Sequence, residues 1–231
     1  MPTVSLKTTE SDGEAGSIRL YYEERGEGDP ILCIHGSLSS AMMWQGAAEE
    51  LAPLGRVITY DRRGCTRSER PEPYLTTTVS QHADDAAALL QTLSATPAIV
   101  IGRSYGGEVA TDLALRYPER VRALILLEGA TANLSSGARI WVEELTERAL
   151  AAAAGGADTV AEVVCRDALG DATWEELPDE VKRMLTANGP AVLAELRGGK
   201  LEVDPAALAA TSRPCWWRRP IRRKRCGRRP T

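Results

Sequence analysis

One stretch constrains this chain more than any other: Ile99-Val100-Ile101-Gly102-Arg103-Ser104-Tyr105-Gly106-Gly107. A short apolar run, a very tight turn and the start of a helix follow one another within nine residues. Ser104 stands at the apex, with Gly102 two residues before it and Gly106 two residues after. A serine at so sharp a strand-to-helix turn is held in a strained backbone conformation, and a Cβ at either flanking position would collide across the turn. The strain lifts the hydroxyl clear of the sheet. It also leaves the Tyr105 amide and the positive end of the helix dipole beside that hydroxyl.

The five-residue pattern recurs by chance, so its surroundings decide its meaning. From Glu108 to Tyr117 the chain runs without a helix breaker until Pro118. Upstream, Ile31-Leu32-Cys33-Ile34 reads as a strand buried on both faces and ends in His35-Gly36-Ser37. Arg56–Tyr60 reads as the next strand and ends in Asp61-Arg62-Arg63-Gly64. Together these motifs resemble the α/β-hydrolase superfamily, in which G-x-S-x-G is the nucleophile elbow. The competing reading is a Rossmann-like strand–turn–helix with an incidental serine. The hydrolase reading is preferred because both motifs sit in the strand and helix context it requires.

The rest of the chain extends the pattern. Residues Ser17 to Glu24 alternate as a strand, with Ile18, Leu20 and Tyr22 on one face. Helices are predicted over Met42–Leu51 and Val79–Leu93, and a further buried strand over Val121–Leu127. Alternation of strands and helices to about residue 130 predicts a mostly parallel sheet flanked by helices. Residues 136–210 are almost wholly helical in composition, with breaks at Gly155-Gly156, Pro178, Gly189-Pro190 and Gly198-Gly199. The resemblance implies a helical cap at this point. The expected organisation is an α/β-hydrolase core over 1–133, a helical cap over 134–210 and an irregular basic tail over 211–231. The plainer alternative for 134–210 is a surface insertion without a substrate role.

The resemblance also assigns roles. Ser104 is the expected nucleophile, and the amides of Tyr105 and Ser37 are the expected oxyanion hole. Glu128, after the strand next to the elbow, is a candidate catalytic acid; the alternative is a carboxylate of the pocket wall or loop. A serine hydroxyl needs a base within hydrogen-bond reach. The chain has two histidines, His35 and His82, and both precede Ser104, whereas the family order is nucleophile, acid, histidine. His35 belongs to the His-Gly turn, and His82 reads as a surface or structural residue. Neither is assigned as the base, and impaired activity is expected. Arg103 could face solvent or pair with a carboxylate of the cap. The resemblance implies hydrolysis of a small-molecule ester, lactone or amide; a non-catalytic small-molecule binding protein on the same fold is the alternative.

Composition bears on location and on the tail. The five cysteines are scattered, with no C-x-x-C and no metal spacing, as suits a reducing cytosol. No P-loop or dinucleotide fingerprint is present, so no cofactor is implied. The first residues carry no signal-type apolar core. The expectation is a cytoplasmic protein with a small-molecule substrate and no membrane partner. The net charge of −4 hides an asymmetry: nine of the 28 Lys and Arg lie within 212–231, which holds no acid, so residues 1–211 carry 19 basic against 32 acidic side chains, a net of −13. Arginine with tryptophan would suit a nucleic acid or an anionic membrane surface. The preferred reading is a frame error, so no nucleic-acid partner is expected. Read from the third base of the Pro214 codon with GC-rich codons, the tail gives a Val-Leu-Val strand and a loop carrying an aspartate, where the family's next strand is due. On that reading the chain is truncated, and Val121–Leu127 is left as an open sheet edge.

Overall fold

A computed structural model describes residues 2–9, 15–128, 136–210 and 215–218. Its centre is a seven-stranded sheet in the order β1-β2-β4-β3-β5-β6-β7. The strands are β1 (Thr3–Thr9), β2 (Ala15–Arg25), β3 (Pro30–Ile34), β4 (Arg56–Tyr60), β5 (Ala98–Arg103), β6 (Val121–Leu127) and β7 (Cys215–Arg218). β1 and β2 are antiparallel to their neighbours. From β4 through β7 every pairing is parallel. The central strands are apolar on both faces because both faces are covered. Leu32 and Ile34 face one side, with Leu89, Leu90, Val109 and Leu113 of α2 (Val79–Thr92) and α3 (Tyr105–Arg116). Ile31 and Cys33 face the other, with Trp44 of the 3-10 turn Ala41–Trp44 and Ala48 of α1 (Gln45–Leu51).

The predicted elements stand close to where the sequence put them. β1 is the exception, a strand that the sequence reading did not identify. It contributes Leu6 to the core at 1% exposure, beside Ile18 and Leu20 of β2.

After β6 the chain turns helical: α4 (Ser136–Ala152), α5 (Ala157–Leu169), α6 (Asp171–Glu176), α7 (Asp179–Ala187), α8 (Gly189–Arg197) and α9 (Pro205–Ala210). The expected breaks all fall between helices or at their ends. These helices have their own core, in which Ala149, Val160, Ala161, Trp174 and Val192 pack together with Leu38. Leu38 comes from the turn after β3 and takes a positive φ of 56°. It thereby joins the sheet's upper edge to the helical segment. No helix among the described residues is long and apolar enough to cross a membrane.

Two expectations about the C-terminal part are corrected. Cys215–Arg218 is a strand and not irregular chain, and it pairs in parallel with Leu124–Leu127. Val121–Leu127 is therefore not an open sheet edge. The unpaired ladder of β6 offers backbone donors and acceptors, and a Cys-Trp-Trp run has the β-propensity to take them. The remainder of the basic tail, residues 211–214 and 219–231, lies outside the described residues.

Candidate active site

β5 delivers the chain to Ser104, and α3 begins at the next residue. Ser104 has φ 52° and ψ −125°, a region costing roughly 1–3 kcal/mol for a residue with a Cβ. Its N–H donates to the Leu127 carbonyl at 3.1 Å, and its own carbonyl accepts from the Gly107 N–H at 2.7 Å. Serine at a helix N-cap normally turns its hydroxyl onto the first-turn amides. Ser104 does not; no side-chain cap hydrogen bond forms. The strained backbone thus leaves the hydroxyl uncommitted.

The glycines are there for space. A Cβ on Gly102 would lie 2.3 Å from the Gly106 carbonyl oxygen, and one on Gly106 would lie 2.4 Å from that of Ile34. A Cβ on Gly36 would lie 3.0 Å from Ser104 Cβ. The backbone between His35 and Ser37 therefore runs directly against the serine. The Tyr105 amide is an unpaired donor by position, as the first residue of the helix. Ser37 follows Gly36 in the turn after β3, and that turn touches Ser104. The sequence-predicted nucleophile and the loop holding Ser37 are thus brought together.

Glu128 is the residue after the neighbouring strand, β6. It has a positive φ of 51° and its side chain is half exposed. Its carboxylate accepts from Arg103, with an N–O separation of 3.1 Å. Arg103 therefore pairs within the elbow region and not with the helical segment.

The histidines are engaged elsewhere. His35 Nε2 accepts from the Arg62 N–H at 2.9 Å, so its Nδ1 carries the proton and donates to the Gly36 carbonyl at 2.8 Å. His82 is fully buried, which removes the surface reading and leaves the structural one. Its ring meets Tyr105 edge-on with centroids 5.6 Å apart, and its Nε2 lies 3.4 Å from both Arg62 and Thr77. Burial, and then the Arg62 charge, hold both imidazoles well below their ordinary pKa.

Arg62 was missed as a site residue by sequence reasoning. It is fully buried. Its Nε donates to the His35 carbonyl and its Nη2 to the Gly36 carbonyl, each at 3.0 Å. The same Nη2 lies 2.7 Å from Glu195 Oε1, and its Cζ stands 4.8 Å from the Tyr105 ring centre. Glu195 belongs to α8 and its other oxygen accepts from Ser37 Oγ at 2.5 Å. A second buried carboxyl, Glu108, accepts from the Leu201 N–H at 3.2 Å. Burial raises its pKa, against the opposing pull of Lys200. Glu195 was missed as well: it lies on α8 among the buried Val192, Ala194 and Leu196, and its own burial shows only with Arg62 beside it.

Comparison with known proteins bears on the fold. The chain is 37% identical over 118 residues to an uncharacterized hydrolase, YraK, of Bacillus subtilis (strain 168), covering 51% of this chain and 44% of that one. It is 28% identical over 209 residues to a zearalenone hydrolase of Bionectria ochroleuca, covering 87% of this chain and 74% of that one. A thermophilic esterase from Thermogutta terrifontis superposes with a TM-score of 0.73 at 28% identity, over 94% of this chain and 79% of the esterase. The match to YraK spans less than half of that protein's own length, as does the match to a carbamate hydrolase, RutD, of Azorhizobium caulinodans, at 42%. The family pattern for the alpha/beta hydrolase fold matches residues 29–162, more than half of the chain and inclusive of the His-Gly turn, the elbow and Glu128. The chain belongs to the α/β-hydrolase fold family.

Proposed function

We propose that this chain is a serine hydrolase acting on a small-molecule ester, lactone or amide through Ser104. The observation that carries the reading is a serine at a helix N-cap that is strained and does not cap. Ser104 Oγ attacks the substrate carbonyl. The amides of Tyr105 and Ser37 meet the developing oxyanion, each donor being worth on the order of 10²–10³ in rate. Collapse of that oxyanion breaks the carbonyl–oxygen or carbonyl–nitrogen bond and expels the alcohol or amine, which takes up the proton the serine gives to solvent water; a second water then hydrolyses the acyl-enzyme to the free acid and Ser104. Residues 1–133 form the core, residues 134–210 form the cap over the nucleophile, and residues 211–231 form the basic tail. Glu128 holds the acid position of this reading, with Arg103 on its carboxylate. The hydrolase and esterase relatives support the reaction class.

The base is the weak point of these 231 residues. His35 spends both ring nitrogens, on Arg62 and Gly36, and the fully buried His82 sets Nε2 against Arg62 and Thr77 while its Nδ1 has no hydrogen-bond partner; neither ring makes a hydrogen bond to Ser104. Turnover by this chain is slow on that ground, of the roughly 10³–10⁴ over solvent that an oxyanion hole and binding supply alone. The same observation favours a second reading, a non-catalytic small-molecule binding protein on a hydrolase fold. Hydrolysis of p-nitrophenyl acetate by the wild type and by Ser104→Ala separates the two. A slow release abolished by Ser104→Ala and untouched by His82→Ala supports the hydrolase. No difference between wild type and Ser104→Ala removes it. Rates near an ordinary enzyme's, about 10 s⁻¹, that His82→Ala abolishes would reassign the base.

A further inference from the structure

The buried charge pair beneath the oxyanion turn links two parts of the protein that the proposed chemistry treats separately. Arg62, two residues past the end of β4, spends two donors on consecutive carbonyls, those of His35 and Gly36. These are the two residues before Ser37. Glu195, on α8, neutralises Arg62 with one oxygen and receives the Ser37 hydroxyl with the other. The side chains of Arg62 and Glu195 are 0% and 2% exposed. Two charges so thoroughly removed from water are costly unless their remaining hydrogen-bond capacity is met. Here part of it is met by the turn that carries Ser37.

The surrounding chain makes α8 a fixed strap. The Thr77 N–H donates to the Ala194 carbonyl at 3.1 Å. A Cβ on Gly198 would lie 1.7 Å from the Thr77 carbonyl oxygen, so the backbones are in direct contact there. Past Gly198, Leu201 donates to Glu108 on α3, and Lys200 stands 5.4 Å from the Tyr105 ring centre. The return path from the helical segment is thus pinned to the helix that begins at the nucleophile.

We infer that Glu195 is a positioning residue: its hydrogen bond to Ser37 Oγ and its ion pair with Arg62 hold the Ser37 amide in oxyanion geometry, so that docking of the cap and assembly of the oxyanion hole are one event. This rests on the serine-hydrolase reading for the use made of the amide, but not for the amide's order. A hydrogen-bonded turn is a single state, and a donor fixed beforehand costs no reorganisation when the oxyanion forms. Freed from Glu195, the turn would keep the Arg62 contacts on one side only, and the Ser37 N–H would sample other directions.

The test uses the full 231-residue chain and removes the hydroxyl alone. Ser37→Ala keeps the amide and the Arg62–Glu195 pair; Ser37→Thr restores the hydroxyl. Two measurements are made: the backbone order parameter of residue 37 by ¹⁵N relaxation, and the affinity for phenylboronic acid, whose boron adds to Ser104 Oγ and places an oxygen at the oxyanion position. In the wild type the residue 37 amide is expected to be ordered, about 0.85, and in Ser37→Ala to fall below about 0.6. Boronate affinity is expected to fall about tenfold, the effect of one hydrogen bond to a charged group, in a protein that still unfolds cooperatively at a lowered temperature, since Glu195 loses a buried donor. Ser37→Thr is expected to recover both. An unchanged order parameter in Ser37→Ala, or an unchanged boronate affinity despite a lost one, overturns the inference. A wild type that binds the boronate no better than Ser104→Ala overturns the serine reading instead. The order parameter and its recovery in Ser37→Thr then decide the positioning role alone.

Discussion

The residues around Ser104 are chosen for what they lack. Gly36, Gly102 and Gly106 stand where a methyl group would meet backbone at 2.3–3.1 Å, so no side chain can move aside to admit one. Gly106→Ala is expected to destabilise the protein by about 1–3 kcal/mol, as overpacking does, and to abolish chemistry at Ser104 because the elbow must open. Urea unfolding and Ser104 reactivity measured on the same sample check both halves. The two histidines make a second prediction. Their pKa values are held below 6.5 in the folded protein, so below that pH the unfolded chain binds more protons than the native one. Stability is therefore expected to fall as pH drops through 6.5, by up to about 1.4 kcal/mol per pH unit for each histidine. Glu108 acts in the opposite sense between 4.5 and its raised pKa, where the native state holds the extra proton. Urea midpoints at pH 7.5, 6.5 and 5.5 measure the slope, and His82→Gln should reduce it. The elbow and both histidines were legible in the sequence because glycine spacing and the position of a histidine are local facts. Arg62 and Glu195 were not legible: a charged residue declares its burial only through its partner, and these partners are 133 positions apart.

Strands and helices follow the sequence pattern where burial is two-sided. Arg56–Tyr60 and Val121–Leu127 fall where the apolar runs predicted. β1 escaped notice because Val4 and Leu6 are its sole large apolar residues, too few to set a period. The strand exists because Leu6 finds the core beside Ile18 and because pairing with β2 satisfies its backbone. Charge pairs between elements differ in worth according to their burial. Arg63 makes two hydrogen bonds of 2.6 Å to Asp85 on α2, with both side chains buried. Asp85→Ala is expected to cost about 3–5 kcal/mol by depriving a buried guanidinium of that bidentate partner. Arg103–Glu128 lies half in solvent, and Glu128→Ala is expected to change stability by less than about 1 kcal/mol. Thermal unfolding of the two variants side by side tests the contrast. Gly198→Ala belongs with them: its Cβ would strike the Thr77 carbonyl, and loosening of α8 from the core should appear as faster proteolysis within residues 189–201.

As a whole the described chain is a mostly parallel sheet with the serine at the C-terminal end of β5, and a helical segment fastened to it at a few buried points. Those points are the Leu38 turn, the Arg62–Glu195 pair, the Asn188 side chain on Thr66 and Ser39, and the Leu201–Glu108 bond. The fold class was readable from alternation of elements, because a parallel sheet needs a crossover between successive strands. The last strand was expected only from another reading frame and not from the residues as written, yet those residues supply Cys215–Arg218 at that side of β6. The central claim is that Ser104 is a nucleophile held ready by its backbone. Intact and peptide mass spectrometry after incubation with a fluorophosphonate tests it most directly. The expected result is a slow, single adduct on the peptide carrying Ser104, absent from Ser104→Ala. An adduct on any other residue, or one that persists undiminished in Ser104→Ala, would contradict it.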